Sequence, residues 1–407
     1  MKKTNLIYKF LSLFLGSFLI FAVSCNSDNS GIEEEASVQE KATVAKFTST
    51  PIEGQYIVVF NKNYTEKSTL SKNLKYNEKN EMLKSEIPNT FLKVGLSKEN
   101  IVNTFGYAIN GFTAKLSENQ KTELKKDSRI KRIEQDYMIT LSPINAYKGK
   151  PVAPAPVEEI PWGITRVGGG AAYNGSATAW IIDSGIDLDH PDLNVDVARS
   201  VSYVRGDADD QNGHGTHVAG TVAALDNEIG VIGVAPGATL VAVRVLDRRG
   251  SGSTSGVIAG VDYVAANGQN GDVANMSLGG GISTILDDAV IAAAASGVKF
   301  ALAAGNESDD ANNHSPARAN HVNIYTISAM DINDDFAYFS NYGNPPIEFC
   351  APGVSISSTW KSGGYNTISG TSMAAPHVCG LLLLGNVASD GIVNGDPDGN
   401  PDSIAHN

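Results

Sequence analysis

The chain has 407 residues, 42% apolar and 18% charged, with a formal net charge of −13. That length allows a sizeable core and more than one domain, and the composition argues against a disordered chain or an integral membrane protein. Residues 1–156 carry 22 basic and 16 acidic side chains and residues 157–407 carry 9 and 28, so the two parts should attract each other, and no basic patch marks a nucleic-acid partner.

In chain order, Met1-Lys2-Lys3 and the apolar run Phe10–Val23 have the charge and length of a signal peptide, too short for a membrane-spanning helix. The run ends Ala22-Val23-Ser24-Cys25, which resembles a bacterial lipoprotein box. Export from a bacterial cell follows, with Cys25 as a lipid anchor or with secretion after maturation. Residues 26–50 read as a polar linker. Gln55–Phe60 is a strand, Ser117–Lys126 a capped charged helix and Ile130–Asp136 a closing strand, giving a small α+β unit over 51–140. Residues 141–157 are extended and proline-rich, hence exposed and cleavable.

From residue 158 strands and helices alternate. Thr178–Asp183, Thr239–Leu246, Asp272–Ser277, Val298–Ala303 and Val322–Ser328 read as buried strands. His214–Leu225, Ser255–Asn267, Thr284–Ser296 and Thr371–Leu384 read as helices. This alternation predicts an α/β fold of three layers, a parallel sheet with helices on both faces, over 158–390. Residues 391–407 read as a polar tail. Three cysteines are too few for a disulfide framework, and Cys350 and Cys379 lie in apolar runs that suit buried free thiols, with a single bridge as the alternative.

Three segments carry chemistry. In Ser369-Gly370-Thr371-Ser372-Met373-Ala374-Ala375-Pro376-His377, Gly370 allows a tight turn and Thr371 or Ser372 can cap a helix, where unpaired N–H groups favour negative charge. Ala179–Asp187 reads as an apolar strand ending on Asp183. Asn212–Gly220 brings His214 and His217 to the start of a small-residue helix. Together they supply an acid, an imidazole and an alcohol in the order Asp, His, Ser.

These segments resemble the Asp, His and Ser boxes of the subtilisin-like serine proteases. The resemblance implies that Asp183 orients the imidazole, His214 is the general base and acid, and Ser372 is the nucleophile; His217 is left to pack or bond within its helix. Ala303-Ala304-Gly305-Asn306-Glu307 resembles the family's oxyanion segment, with Asn306 donating its amide. Gly250, Ser251 and Gly252 on one side, and Ser277, Leu278 and Gly279 on the other, are similar to strands that pair with an extended substrate of almost any sequence. The loop Leu225–Val231 resembles a calcium loop, implying structural Ca²⁺ on Asp192, Asn227 and the carbonyls of Leu225, Ile229 and Val231, with Glu158 as a further ligand. Residues 51–140 resemble the inhibitor-type propeptide of these proteases, a folding aid and intramolecular inhibitor cut off within 138–157. The partners implied are polypeptide substrates and this propeptide, on a monomer.

Overall fold

A computed structural model describes residues 44, 46–62, 64, 74–142 and 156–407. The signal segment with Cys25, most of the 26–50 linker and nearly all of the 141–157 linker lie outside them. Among the described residues no helix is long and apolar enough to cross a membrane.

The N-terminal unit is built on β1 (Phe47–Phe60), which pairs antiparallel with β3 (Gly111–Lys115) and β4 (Ile130–Leu141); β2 (Ile101–Phe105) lies outside β3. Side chains of β1 alternate between two cores, as the period of a strand requires. Tyr56, Val58 and Phe60 pack with Leu83 and Ile87 of α1 (Tyr76–Thr90) and Leu124 of α2 (Glu118–Lys126). Ile57 and Val59 face the larger half of the molecule. As the sequence predicts, Ser117 caps α2, accepting from the Gln120 N–H at 3.2 Å. β1 starts at Phe47, inside the stretch expected to be linker, and residues 47–51 pair with the end of β4.

The larger half holds a nine-stranded sheet of order β15 (Ala388–Ile392), β16 (Ser403–His406), β12 (Ile347–Pro352), β11 (Ile324–Met330), β10 (Lys299–Ala303), β9 (Val273–Met276), β5 (Thr178–Asp183), β7 (Thr239–Arg244) and β6 (Val201–Ser202). β5 lies between β7 and β9, and β10, β11 and β12 follow β9, all parallel. Ala179 and Ile181 face α3 (His214–Ala223) and α6 (Thr371–Leu384). Trp180 and Ile182 face α4 (Thr254–Asn267) and α5 (Thr284–Ala295). Helices on both faces explain why these strands read as nearly continuous apolar runs.

Residues 391–407, expected as a solvated tail, instead extend the sheet. β15 (Ala388–Ile392) turns back into β16 (Ser403–His406), which pairs parallel with β12 and buries Ile404 and Ala405. Four residues behind a run of aspartates carry too short a pattern to announce a strand; the partner at Cys350 supplies the reason. Cys350 and Cys379 are both free and buried.

The N-terminal unit docks on α4 and α5. β4 pairs antiparallel with β8 (Ser251–Ser253), so its sheet continues into the larger half. Two of its carboxylates sit at helix N-termini, where N–H groups lack intrahelical partners. Asp136 accepts from the Ser255 N–H (3.0 Å) and hydroxyl (2.6 Å), and Glu134 accepts from the Ser283 and Thr284 hydroxyls. In return, the buried Asp262 carboxylate of α4 takes the backbone N–H groups of Gly106, Tyr107 and Ala108 at 3.1, 2.8 and 2.7 Å. Lys131 and Arg132 both reach Asp288, the attraction the charge division implies.

Candidate active site

Parallel strands put their carboxyl ends at one edge, and three adjacent strands end on the residues of interest. Ile181 is in register with Asn275, and Met276 with Leu302. Continued along the strands, that register sets Asp183, Ser277 and Ala303 level, on strands about 4.8 Å apart. His214 stands on the Asp183 position and Ser372 on the Ser277 position.

His214 opens α3 and is wholly buried. Its Nδ1 lies 2.8 and 3.0 Å from the two Asp183 oxygens. Burial works to lower its pKa, but the charge and hydrogen bond of Asp183, with the charge of Asp210, outweigh it and leave it above the usual 6.5. His214 Nε2 is buried with no hydrogen-bond partner among the described residues. The Ser372 hydroxyl donates to the Ser277 carbonyl at 3.2 Å, and Ser277 Oγ donates to the Ser372 carbonyl at 2.7 Å. His217 bonds across to a neighbouring hairpin and not within its helix: Nε2 lies 3.0 Å from Ile356 O and 3.2 Å from Asn366 O. Burial, with the nearby His214, pushes its pKa down to about 3, so it is a neutral strut.

Asn306 follows β10 and is 2% exposed. Its Oδ1 accepts from the Thr371 N–H (2.8 Å) and hydroxyl (3.0 Å), which fixes the amide plane. Gly370 shows where the nitrogen points. A Cβ there would stand 3.4 Å from Asn306 Nδ2 and 3.6 Å from Ser372 N, so the two nitrogens lie close together beside Gly370. Gly370 has φ +154°, a conformation side chains rarely adopt.

Gly250, Ser251 and Gly252 form the edge that β4 occupies: Leu141 N donates to Gly250 O at 2.9 Å, and Ile139 pairs with Gly252. Leu278 and Gly279 line a small pocket with Asn306 and Ser372. Phe47 forms part of the lining of that pocket.

The sequence model of the subtilase family matches residues 178–388, and that of the peptidase inhibitor I9 family matches residues 55–142. The chain belongs to the subtilase family. It is 40% identical over 332 residues to the subtilisin-like serine protease AsES of Sarocladium strictum, covering 74% of this chain and 81% of that one. It is 37% identical over 406 residues to subtilisin-like protease 2 of Pseudogymnoascus destructans, covering 91% and 94%. With alkaline serine exoprotease A of Vibrio alginolyticus it shares 44% identity over 302 residues, 71% of this chain but only 54% of that relative's length.

The subtilase chain also brings Asp192, Asn227 and Glu158 into one hydrogen-bonded cluster. Asp192 is wholly buried, accepting from Asn227 Nδ2 (3.1 Å), Val231 N (3.2 Å) and the Tyr365 hydroxyl (3.2 Å). Burial raises its carboxyl to about 6, with a smaller push from Glu158. Glu158 in turn accepts from the Asn227 N–H at 2.6 Å. Among the described residues no three His, Cys, Asp or Glu side chains are spaced to hold a metal, so a cation here would lean on amide and main-chain oxygens. Oxygen-only donors of mixed type suit calcium.

Sequence reasoning passed over Asp210. This buried carboxylate accepts from the N–H groups of Asn212, Gly213 and Thr216 and from the hydroxyls of Ser184 and Thr216, tying the α3 start to the turn after β5. An acid three residues before the glycine that opens a predicted helix is a capping signal that could have marked it.

Proposed function

We propose that this subtilase is a serine endopeptidase, exported and made as an inactive precursor. What supports it is the buried Asp183–His214 pair standing one strand from Ser372 and its two flanking N–H donors. Asp183 holds the imidazole by Nδ1 and leaves Nε2 without a partner among the described residues. Rotation of the Ser372 side chain away from Ser277 O would bring its hydroxyl to Nε2, which takes the proton as Oγ attacks the substrate carbonyl. The Asn306 amide and the Ser372 N–H would hold the oxyanion. His214 then protonates the leaving amine, and a water repeats the sequence to free the acyl group.

A substrate would add as an antiparallel strand on Gly250–Gly252, as β4 does, with Ser277, Leu278 and Gly279 opposite. Main-chain pairing of this kind accepts many sequences, hence broad specificity. Residues 55–142 act as the intramolecular inhibitor until the chain is cut within 138–157. Ca²⁺ held by Asp192, Asn227 and the carbonyls of Leu225, Ile229 and Val231, with Glu158, stabilises the enzyme without entering the chemistry. Cys25 carries a lipid anchor on the precursor, and the matured enzyme is a monomer. A fluorophosphonate probe should label matured wild-type protein and not Ser372→Ala, and only the former should digest casein. An unlabelled, inactive wild type would reject the reading.

A further inference from the structure

We infer that residues 46–50 are a second inhibitory strand, laid in reverse beside the nucleophile and closing its pocket with Phe47. The inference rests on the peptidase reading above and concerns a segment upstream of the inhibitor-family match, which begins at residue 55.

Burial alternates along the segment: Phe47 and Ser49 are turned inward, Thr48 and Thr50 outward. Phe47 packs against the core shared with α4 and α5, and lines the pocket formed by Leu278, Gly279, Asn306 and Ser372. Ser49 Oγ accepts from the Gly281 N–H at 3.1 Å. Val44 bridges to Ser369, three residues before the nucleophile. On its other side the segment is tied to β4: Phe47 pairs with Leu141, Ser49 with Ile139, and Ser142 N donates to Lys46 O at 2.6 Å. The cleft is therefore closed by two strands. β4 fills the edge on Gly250–Ser253, and residues 46–50 fill the space between β4 and the Ser277 side.

Direction separates this strand from a substrate. β4 runs antiparallel to β8, and β1 runs antiparallel to β4, so residues 46–50 run parallel to β8. A peptide passing in that sense has its acyl and amine sides exchanged relative to His214 and Asn306. The attack, oxyanion and leaving-group positions then cannot all be met at once. Such a strand occupies the pocket without being cut, so the active site stays blocked even when the β4 tail frays or is nicked.

The test uses the full-length chain as wild type, Phe47→Ala, Phe47→Leu and Phe47→Tyr. Fluorophosphonate labelling of Ser372 is followed in freshly folded precursor and again after complete maturation. Residue 47 leaves with the propeptide, so all matured enzymes share one sequence and their equal labelling verifies folding. Before maturation, Phe47→Ala should label about 10-fold faster than wild type and Phe47→Leu about 3-fold faster, the milder change serving if the alanine chain does not fold. Phe47→Tyr should stay within twofold of wild type. Precursors that all label at the wild-type rate, yet mature to equally labelled enzymes, would overturn the second strand and leave the peptidase reading intact. Matured enzymes that never label would end both.

Discussion

Asn306 offers a test in which catalysis and stability come apart. Its Oδ1 satisfies the Thr371 N–H and hydroxyl, and its Nδ2 stands with Ser372 N beside Gly370. Asn306→Asp keeps the acceptor and replaces only the donor. Loss of one of two oxyanion donors removes about 2.7–4 kcal/mol of transition-state stabilisation, a 10²- to 10³-fold fall in kcat. KM should change little, because the donor acts on charge that develops after binding. Asn306→Ala removes the same donor but also orphans the buried Thr371 N–H, which adds a stability loss of about 1–3 kcal/mol. The assay is steady-state kinetics on a peptide anilide, normalised to titrated active sites, with thermal unfolding of both variants. If Asn306→Asp kept kcat within threefold of wild type while unfolding normally, the donor assignment would be wrong. Equal melting temperatures for the two variants would show that the Thr371 contacts carry no stability.

Three further outcomes follow from charges and ligands. His214 must be neutral to act as base, and Asp183 and Asp210 hold its pKa above 6.5, so kcat/KM should rise with pH through a limb above that value. In Asp183→Asn burial would dominate, moving the limb down in pH while kcat falls by about 10⁴; an unmoved pH–rate profile would contradict this. Burial raises Asp262 from 3.8 to about 6 in the docked precursor, outweighing the N–H groups of residues 106–108. If release returns it to the ordinary value, docking takes up a proton: it is tightest below about pH 4, weakens as pH rises to about 6 and is flat above. The full span is roughly 100-fold, of which propeptide inhibition measured at pH 4.5 and 7.5 should show roughly 25-fold, with Asp262→Asn flattening the dependence. Chelation should lower the melting temperature of the matured enzyme, since calcium at 100 times its Kd would contribute about 2.7 kcal/mol; Asp192→Ala should melt lower and lose sensitivity to the chelator.

Much of the fold was legible because its signals are local. The runs before Asp183 and before Ser277 are apolar on both faces, and such runs between small-residue helices identify a covered parallel sheet. Asp183, His214, Asn306 and Ser372 were each legible as boxes of contiguous residues. The start of β1 was not: Phe47-Thr48-Ser49-Thr50 is mostly polar, and it is a strand because β4 lies beside it. The same holds for β16, whose four residues are buried by β12. Nothing beside Asp262 in the sequence marks it, because its partners come from a turn more than 150 residues earlier in the chain.

What the sequence determined alone is the choice of chemical groups and the local elements that present them: an acid ending a strand, an imidazole and an alcohol opening helices, and a glycine before the alcohol. What tertiary structure decided is their alignment. Asp183, Ser277 and Ala303 come level only because β5, β9 and β10 are neighbours in one parallel register, and the direction of residues 46–50 follows from two successive antiparallel pairings. Periodicity and capping act over a few residues, so they are written in contiguous sequence. Register between strands dozens of residues apart is set by which faces can be buried together, and that is settled only when the whole chain packs.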